Sequence, residues 1–346
     1  MSHGDTDASC LAEPPLADEA AAPAGITREV VVTSPGFGQP VDCVVCVPAF
    51  RRPEHLRMTL ASIVGQATSR RFAIVVVEND AQGRGSATAA MGSLARCDRP
   101  WLCVVEPNQG NCHAINAAFE TARAAFPRAR CFLMIDDDEI AAPTWLEQMV
   151  LAAETTGADI VGGPVVPDFA SAANEGLGQH PAFRPAYNRS GPVPVIYGSG
   201  NCLITRGVFE RLADPSFDLR FNFLGGGDTD FFARCRELGL RFFWNAAAEI
   251  RETVPDTRTK SGWLVRRGLR IGAINYHVQW KIARSAWSRT KLAAKMALLF
   301  PASFVRAAAL LASGQSALTV CHPIIVAAGS ALASIGIEPE QYKARL

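Results

Sequence analysis

Residues 131–139 read CFLMIDDDE: five apolar residues run directly into Asp136, Asp137, Asp138 and Glu139. A short apolar run bounded by polar residues suits a strand buried on both faces, so the four carboxylates collect at its C-terminal end. In open α/β sheets that edge is where ligands bind. Like charges held this closely repel, and a hard divalent cation such as Mg²⁺ or Mn²⁺ relieves the repulsion by holding their oxygens. The competing reading is a solvated acidic turn ahead of a helix that starts near Pro143 or Thr144.

The preceding residues build toward that strand. Residues 41–47 (VDCVVCV) form a β-branched run closed by Pro48, followed by Arg51, Arg52 and Pro53 and a helical stretch over 54–64. Residues 72–77 (FAIVVV) repeat the pattern and stop on Glu78, Asn79 and Asp80. Strand, helix, strand at this spacing is a right-handed βαβ unit. A third strand over 101–105, the loop 106–110 (EPNQG) and a helix over 113–126 then lead into the acid-tipped strand. The alternation predicts an α/β class, with a doubly wound, mainly parallel sheet and helices on both faces. A helix over 145–155 and a strand from 160 follow, and the Pro- and Gly-rich residues 162–194 read as one long functional or mobile loop. Tyr197, where a serine-hydrolase elbow needs Gly, argues against Ser199 as a nucleophile.

A second acidic site lies at residues 223–230 (FLGGGDTD), ahead of a helix over 231–238. Three glycines let the backbone approach a ligand, and Asp228 falls where a carboxylate caps a helix. Two separated carboxylate sites suggest a division of labour, one binding metal and the other handling a proton.

The chain of 346 residues is 49% hydrophobic, enough for a large core, and its formal net charge of +1 hides an asymmetry. Residues 1–29 carry six acids against Arg28 alone, whereas residues 257–337 contain no Asp or Glu and eleven Lys and Arg. Such a one-signed stretch points to an anionic partner, phosphate or a lipid surface. Ten scattered cysteines lack the spacing of a disulfide framework, so a reducing cytoplasm is expected and Cys43 and Cys46 read as core. Residues 1–40, rich in Ala, Pro, Asp and Gly, read as a disordered lead-in to a domain over 41–280, and 281–346 as a basic, apolar helical appendage.

With both acidic sites in view, the chain resembles the family 2 glycosyltransferases of the GT-A fold, nearest the branch that builds succinoglycan-type exopolysaccharides. The resemblance covers about residues 41–272 and rests on VPAFRRPEHL, VVVEND, IDDDE, GSGNCLITR, GGGDTDFFARC, and ETVPDTR with SGWLVRRGLRIG. It implies nucleotide-sugar contacts from Pro48, Arg51, Arg52, Glu78, Asn79, Asn108, Gly110, Asn116, Asp136 and Asp137. Metal falls to Asp138 and Asp136, and the catalytic base to Asp228. Gly200, Asn201, Gly226, Gly227, Glu252, Arg258 and Arg267 fall on the acceptor or diphosphate side. The chain departs from the family at Gly227, where the family has Glu, and at Ile115, where it has Arg.

The expected reaction is inverting transfer of a sugar, from a UDP-sugar or similar donor, to a hydroxyl of a saccharide or polyprenyl-linked acceptor. It would use Mn²⁺ or Mg²⁺ and no nucleic-acid partner. Competing readings are a sugar-nucleotide pyrophosphorylase, for which PAFRRPEH lacks the Gly-rich, Lys-bearing loop, and a catalytically impaired binder of the same fold. Residues 281–300 interleave Lys and Arg with Trp287, Leu292, Met296 and Leu299, suiting a helix on anionic lipid, and 307–337 carry no charge. Gly314 and Pro323 are expected to interrupt that apolar stretch. The protein is therefore expected in the cytoplasm, peripheral at the inner face of the membrane, with an apolar helical pair covering the sheet or forming a dimer contact as the competing reading.

Overall fold

The computed structural model describes residues 26–337. In chain order the elements are β1 (Glu29–Thr33), β2 (Cys43–Ala49), α1 (Pro53–Val64), β3 (Phe72–Glu78), α2 (Gly85–Leu94), β4 (Trp101–Val105), α3 (Asn111–Ala125) and β5 (Cys131–Met134). They continue with β6 (Glu139–Ala141), α4 (Trp145–Thr156), β7 (Ile160–Gly162), β8 (Val165–Phe169), β9 (Gly191–Val193), β10 (Cys202–Thr205) and α5 (Arg206–Arg211). The last are α6 (Gly227–Glu237), β11 (Phe242–Trp244), β12 (Ile250–Val254), α7 (Ser261–Ile282), α8 (Ala286–Ala312) and α9 (Ala317–Ser334).

Nine strands form one sheet in the order β1-β4-β3-β2-β5-β10-β7-β11-β9. β4, β3, β2, β5, β7 and β11 run in one direction, and β1, β10 and β9 oppose them, so the sheet is mainly parallel. Strands buried on both faces send alternate residues to opposite sides. Val44 and Cys46 therefore join a core with α3 and α6, while Cys43, Val45 and Val47 join a second core with α1, α2 and α4. The register aligns Ala49 with Glu78 and Glu78 with Val105, which brings the segments after β2, β3, β4 and β5 to one edge.

Three differences from the sequence reading have physical causes. Residues 1–25 of the expected lead-in lie outside the described residues, but 29–33 form β1, an edge strand antiparallel to β4. Its EVVVT is a β-branched run that the Ala- and Pro-rich surroundings conceal. The expected loop over 162–194 contains β8, parallel to β12, and β9, paired with β11; β8 belongs to a small sheet, β6-β12-β8. Pro323 lies inside α9 and does not end it, whereas Gly314, at φ +74°, does end α8.

α7 runs through the expected boundary at residue 280 and binds the appendage to the domain. A Cβ on Gly272 would overlap the backbone of α9, and one on Gly329 the backbone of α7, so the two helices cross at near-backbone contact. Ser330 Oγ donates to the Gly272 carbonyl at 2.8 Å across that crossing. α8 packs less closely, and Trp287, Leu298, Phe304, Val305 and Leu311 are exposed. α8 and α9 are each long and apolar enough to cross a membrane by length and composition.

Candidate active site

β5 ends at Met134, and Ile135 N–H still donates to Cys46 O at 3.2 Å, so the next three residues leave the sheet at its ligand edge. Asp137 Oδ2 accepts from the Phe50 N–H at 2.9 Å, which ties the end of β5 to the end of β2. Arg52 Nη1 donates to Asp137 Oδ1 at 3.1 Å and to Asp138 Oδ2 at 2.7 Å. Arg258 lies 3.9 Å from Asp138 and pairs with Glu252 at 2.5 Å. Glu139 opens β6, opposite Glu252 on β12, and its Oε2 accepts from the Asp136 N–H at 2.7 Å.

The cluster holds five carboxylates against Arg52, Arg258 and the nearby charge of Arg267. Desolvation, then the charges of Asp138, Asp137 and Glu252, pushes Asp136 up to about 8. Burial and then Asp136 push Glu139 well above the carboxylate range, and burial raises Asp137 and Glu252. Protonation forced upward by neighbouring acids is the condition a divalent cation relieves. Among the described residues no three Asp, Glu, His or Cys side chains are grouped to cage an ion. A cation held by one or two carboxylates, with water and substrate phosphate completing its shell, does not need such a cage. Asp138 and Asp136 therefore fit a divalent metal.

The second site is built by α6. Gly225 and Gly226, at φ +81° and +89°, take the chain through left-handed backbone into the helix, and a Cβ on Gly226 would overlap Ile274 of α7. Asp228 lies within the first turn and not at the N-cap, which is Gly226. Its Oδ2 accepts from the Gly198 N–H at 2.8 Å. Two residues on, a Cβ built on Gly200 would sit 2.6 Å from Glu139 Oε1 and 3.0 Å from Asp136 Oδ2. One turn before β10 thus holds Asp228 on one side and backs onto the acidic cluster on the other. Cys202, whose thiol is pushed up by burial and then by Asp136 and Asp228, feels both. Asp230, fully buried on the same helix, pairs with Lys281 at 2.7 Å and with Arg234 at 2.9 Å.

Several residues expected to touch the donor or acceptor instead brace the edge. Glu78 is fully buried; its Oε2 accepts from the Ser86 and Ala87 N–H groups at the start of α2 and its Oε1 from the Asp80 N–H in the turn after β3. Asn79 donates to the carbonyls of Glu106 and Asn108 and accepts from Gly110 N–H, which fixes the loop before α3. Asn108 folds back onto Glu106. Asn116 clamps Phe217 through both its N–H and its carbonyl, at 2.7 and 2.9 Å, and so anchors the backbone there. Asn201 accepts from Trp145 Nε1 and donates to Pro164 O and Ala248 O, so its buried amide is structural. Pro48 is buried within β2.

Arg51, at φ +55°, leaves the sheet edge and pairs with Asp80 at 2.7 Å. Arg267 stands over Trp263 at 5.8 Å. A Cβ on Gly227 would lie 2.6 Å from Cys112 Sγ. Gly198 opens the GSGNCLITR motif and Lys281 the basic stretch over 281–300, but the hold of the first on Asp228 and the neutralisation of Asp230 by the second depend on segments 30 and 51 residues away, and no local pattern marks those partners.

Comparison with known proteins agrees with this arrangement. The family model described as Glycosyl transferase family 2 matches residues 44–213. The chain is 30% identical over 264 residues to the succinoglycan biosynthesis protein ExoM of Rhizobium meliloti (strain 1021), covering 74% of this chain and 81% of the relative. Its fold is similar to that of a mannosyltransferase from Pyrobaculum calidifontis solved in complex with GDP-Man and Mn²⁺, at a TM-score of 0.55 and 19% identity over 86% of this chain and 88% of that one. An acid-lined sheet edge, a second carboxylate hinged to it through one turn, and this likeness over most of both chains place the protein among the glycosyltransferases of family 2, with the GT-A fold.

Proposed function

We propose that the protein transfers a sugar, with inversion, from a nucleotide diphosphate sugar of the UDP type to a hydroxyl of a saccharide or lipid-linked acceptor in exopolysaccharide synthesis. The observation that carries the proposal is the turn over 198–200. It holds Asp228 through the Gly198 N–H and faces Asp136 and Glu139 across Gly200, so a base and a diphosphate-side acidic edge flank one small-residue surface.

Asp138 and Asp136 hold the metal in this reading, and Arg52 and Arg258 orient the diphosphate beside it. A divalent cation, Mn²⁺ or Mg²⁺, supplies neutralisation of the charge that develops on the leaving diphosphate. Asp228, positioned by the Gly198 N–H, takes the proton of the incoming hydroxyl through its other oxygen. Gly200 has no side chain, so the backbone of the turn packs directly against Glu139 and Asp136. The relative's role in succinoglycan biosynthesis supports the exopolysaccharide setting. The exposed apolar face of α8, with its interleaved cations, supports work at an anionic membrane surface.

Purified protein incubated with UDP-, GDP- and dTDP-sugars, with Mn²⁺ and after chelation, tests the reading. The expected result is metal-dependent release of one nucleoside diphosphate, faster with acceptor present. Absence of turnover with all three donor classes in Mn²⁺, with lipid-linked and free saccharide acceptors supplied, overturns it.

A further inference from the structure

A cavity of about 730 Å³ lies between α7, α8 and α9, away from the acidic edge. Leu298 and Val326 contribute to its mainly apolar lining, and Lys291, Lys295 and Arg306 of α8 stand along it. None of the three cations has a carboxylate partner among the described residues, and residues 257–337 offer no acid at all. The stretch from Lys291 to Arg306 spans roughly 22 Å of helix, the scale of one leaflet with its headgroup region included. His322 of α9 also lines the cavity. It is 8% exposed, stacks edge-on against His180 at 4.9 Å, and its Nδ1 has no hydrogen-bond partner.

Apolar walls and flanking cations together describe a site for an anionic amphiphile. A second copy of the chain suits the groove poorly, because an isologous contact would bring the same uncompensated cations together. The two bounding helices, α8 and α9, are themselves apolar enough for a bilayer.

We propose that this groove binds one anionic membrane phospholipid. Its acyl chain lies against Leu298 and Val326, and its headgroup phosphate meets Lys291 and Lys295. The inference deepens the membrane-surface part of the proposed function and rests on it. It adds a discrete lipid site to a helix that otherwise adsorbs by charge alone.

The test is binding of soluble dihexanoyl phosphatidylglycerol, below its micelle concentration, to the full chain by calorimetry. The expected result is one site, weakened at least tenfold with the phosphatidylcholine analogue and at least tenfold in Lys291→Gln/Lys295→Gln. Ala302→Trp, on an exposed helix position lining the groove, keeps every charge and is also expected to weaken binding at least tenfold; Ala294→Phe repeats the test from a second position. UDP binding in each variant reports that the catalytic domain is folded. Equal binding by wild type and both filled variants would mean adsorption outside the groove and overturns the proposal. So does equal binding of the two headgroups, no binding at all, or binding of farnesyl phosphate without phosphatidylglycerol. Donor turnover measured without lipid tests the catalytic reading independently, so either can fail alone.

Discussion

Replacing Asp228 by Asn isolates the proton-transfer role with little disturbance to structure. The carboxylate's Oδ2 accepts one hydrogen bond, from Gly198 N–H at 2.8 Å, and the amide oxygen of Asn can accept the same bond. The turn over 198–200 therefore keeps its anchor, and Gly200 stays against Asp136 and Glu139. What is lost is the second oxygen as a proton acceptor. Removal of a positioned general base costs about 10²-fold or more in rate, equivalent to about 2.7 kcal/mol of barrier. The assay pairs initial transfer rates at saturating donor with equilibrium donor binding and a thermal midpoint. The expected outcome is a transfer rate down by about 10²-fold or more, with donor affinity within about twofold and the midpoint nearly unchanged. Asp230, two residues on, is the control, because it is buried and already neutralised by Lys281 and Arg234. Asp230→Asn is expected to lower the midpoint. If Asp228→Asn transfers within about threefold of wild type while binding donor normally, the base lies elsewhere and the reasoning from the Gly198 bond is wrong.

Three further outcomes follow from packing and charge. Gly110→Ala places a Cβ on the Asn222 side chain at a φ of +134°, so a loss of about 2–4 kcal/mol in denaturant unfolding is expected together with a raised KM for donor. Lys281→Met leaves buried Asp230 with Arg234 alone. A loss near 3 kcal/mol, at the lower end for a broken buried pair, is expected in the same measurement, with Lys281→Arg recovering part of it. His322 is pushed down to about 4, by burial first and then by the charges of His180, Arg184 and Arg267. Folded His322 thus stays neutral where the unfolded side chain protonates. Its contribution is full above about 6.5 and is lost as pH falls from there toward 4, by on the order of 2 kcal/mol. His322→Gln should flatten that part of a stability-against-pH curve.

Much of the sheet was legible because its strands are local. The runs at 43–49, 72–78 and 131–134 are apolar on both faces and end on polar residues, and that pattern alone fixes both their burial and their common edge. The same logic located Asp136–Asp138 and the glycine-rich approach to Asp228. The small sheet was not legible, because β6 and β12 have only three and five residues and their pairing sets Glu139 beside Glu252, 113 positions further along the chain. Polar residues at the edge have partners in the fold that the sequence does not show. Asn116 and Asn201 have the composition of ligand contacts, but each amide is consumed by backbone or indole groups 37 to 101 residues away. A hydrogen-bonding side chain declares its chemistry in the sequence and its partner only in the fold.

The departure at Gly227 shows how the two levels meet. Read alone, a glycine where the family places Glu looks like the loss of an acceptor-side carboxylate. In the fold, Gly227 is buried at the first turn of α6, with Cys112 Sγ 2.6 Å and Phe217 3.2 Å from where a Cβ would stand. Cys112 sits at the start of α3, its N–H bonded to Asn222 Oδ1 at 3.0 Å, and Asn116 one turn later clamps Phe217. The start of α6 therefore packs directly on the start of α3, and residues 112, 217 and 227 form one steric unit. Gly227→Glu would force Cys112 or Phe217 aside before it could offer a carboxylate. Overpacking a filled site costs about 1–3 kcal/mol. Pairing it with Cys112→Ala removes the nearest obstructing atom, so the double variant should recover stability that the single one loses. The glycine is then a packing choice tied to Cys112, and Asp228 keeps its anchor at Gly198 without a neighbouring glutamate.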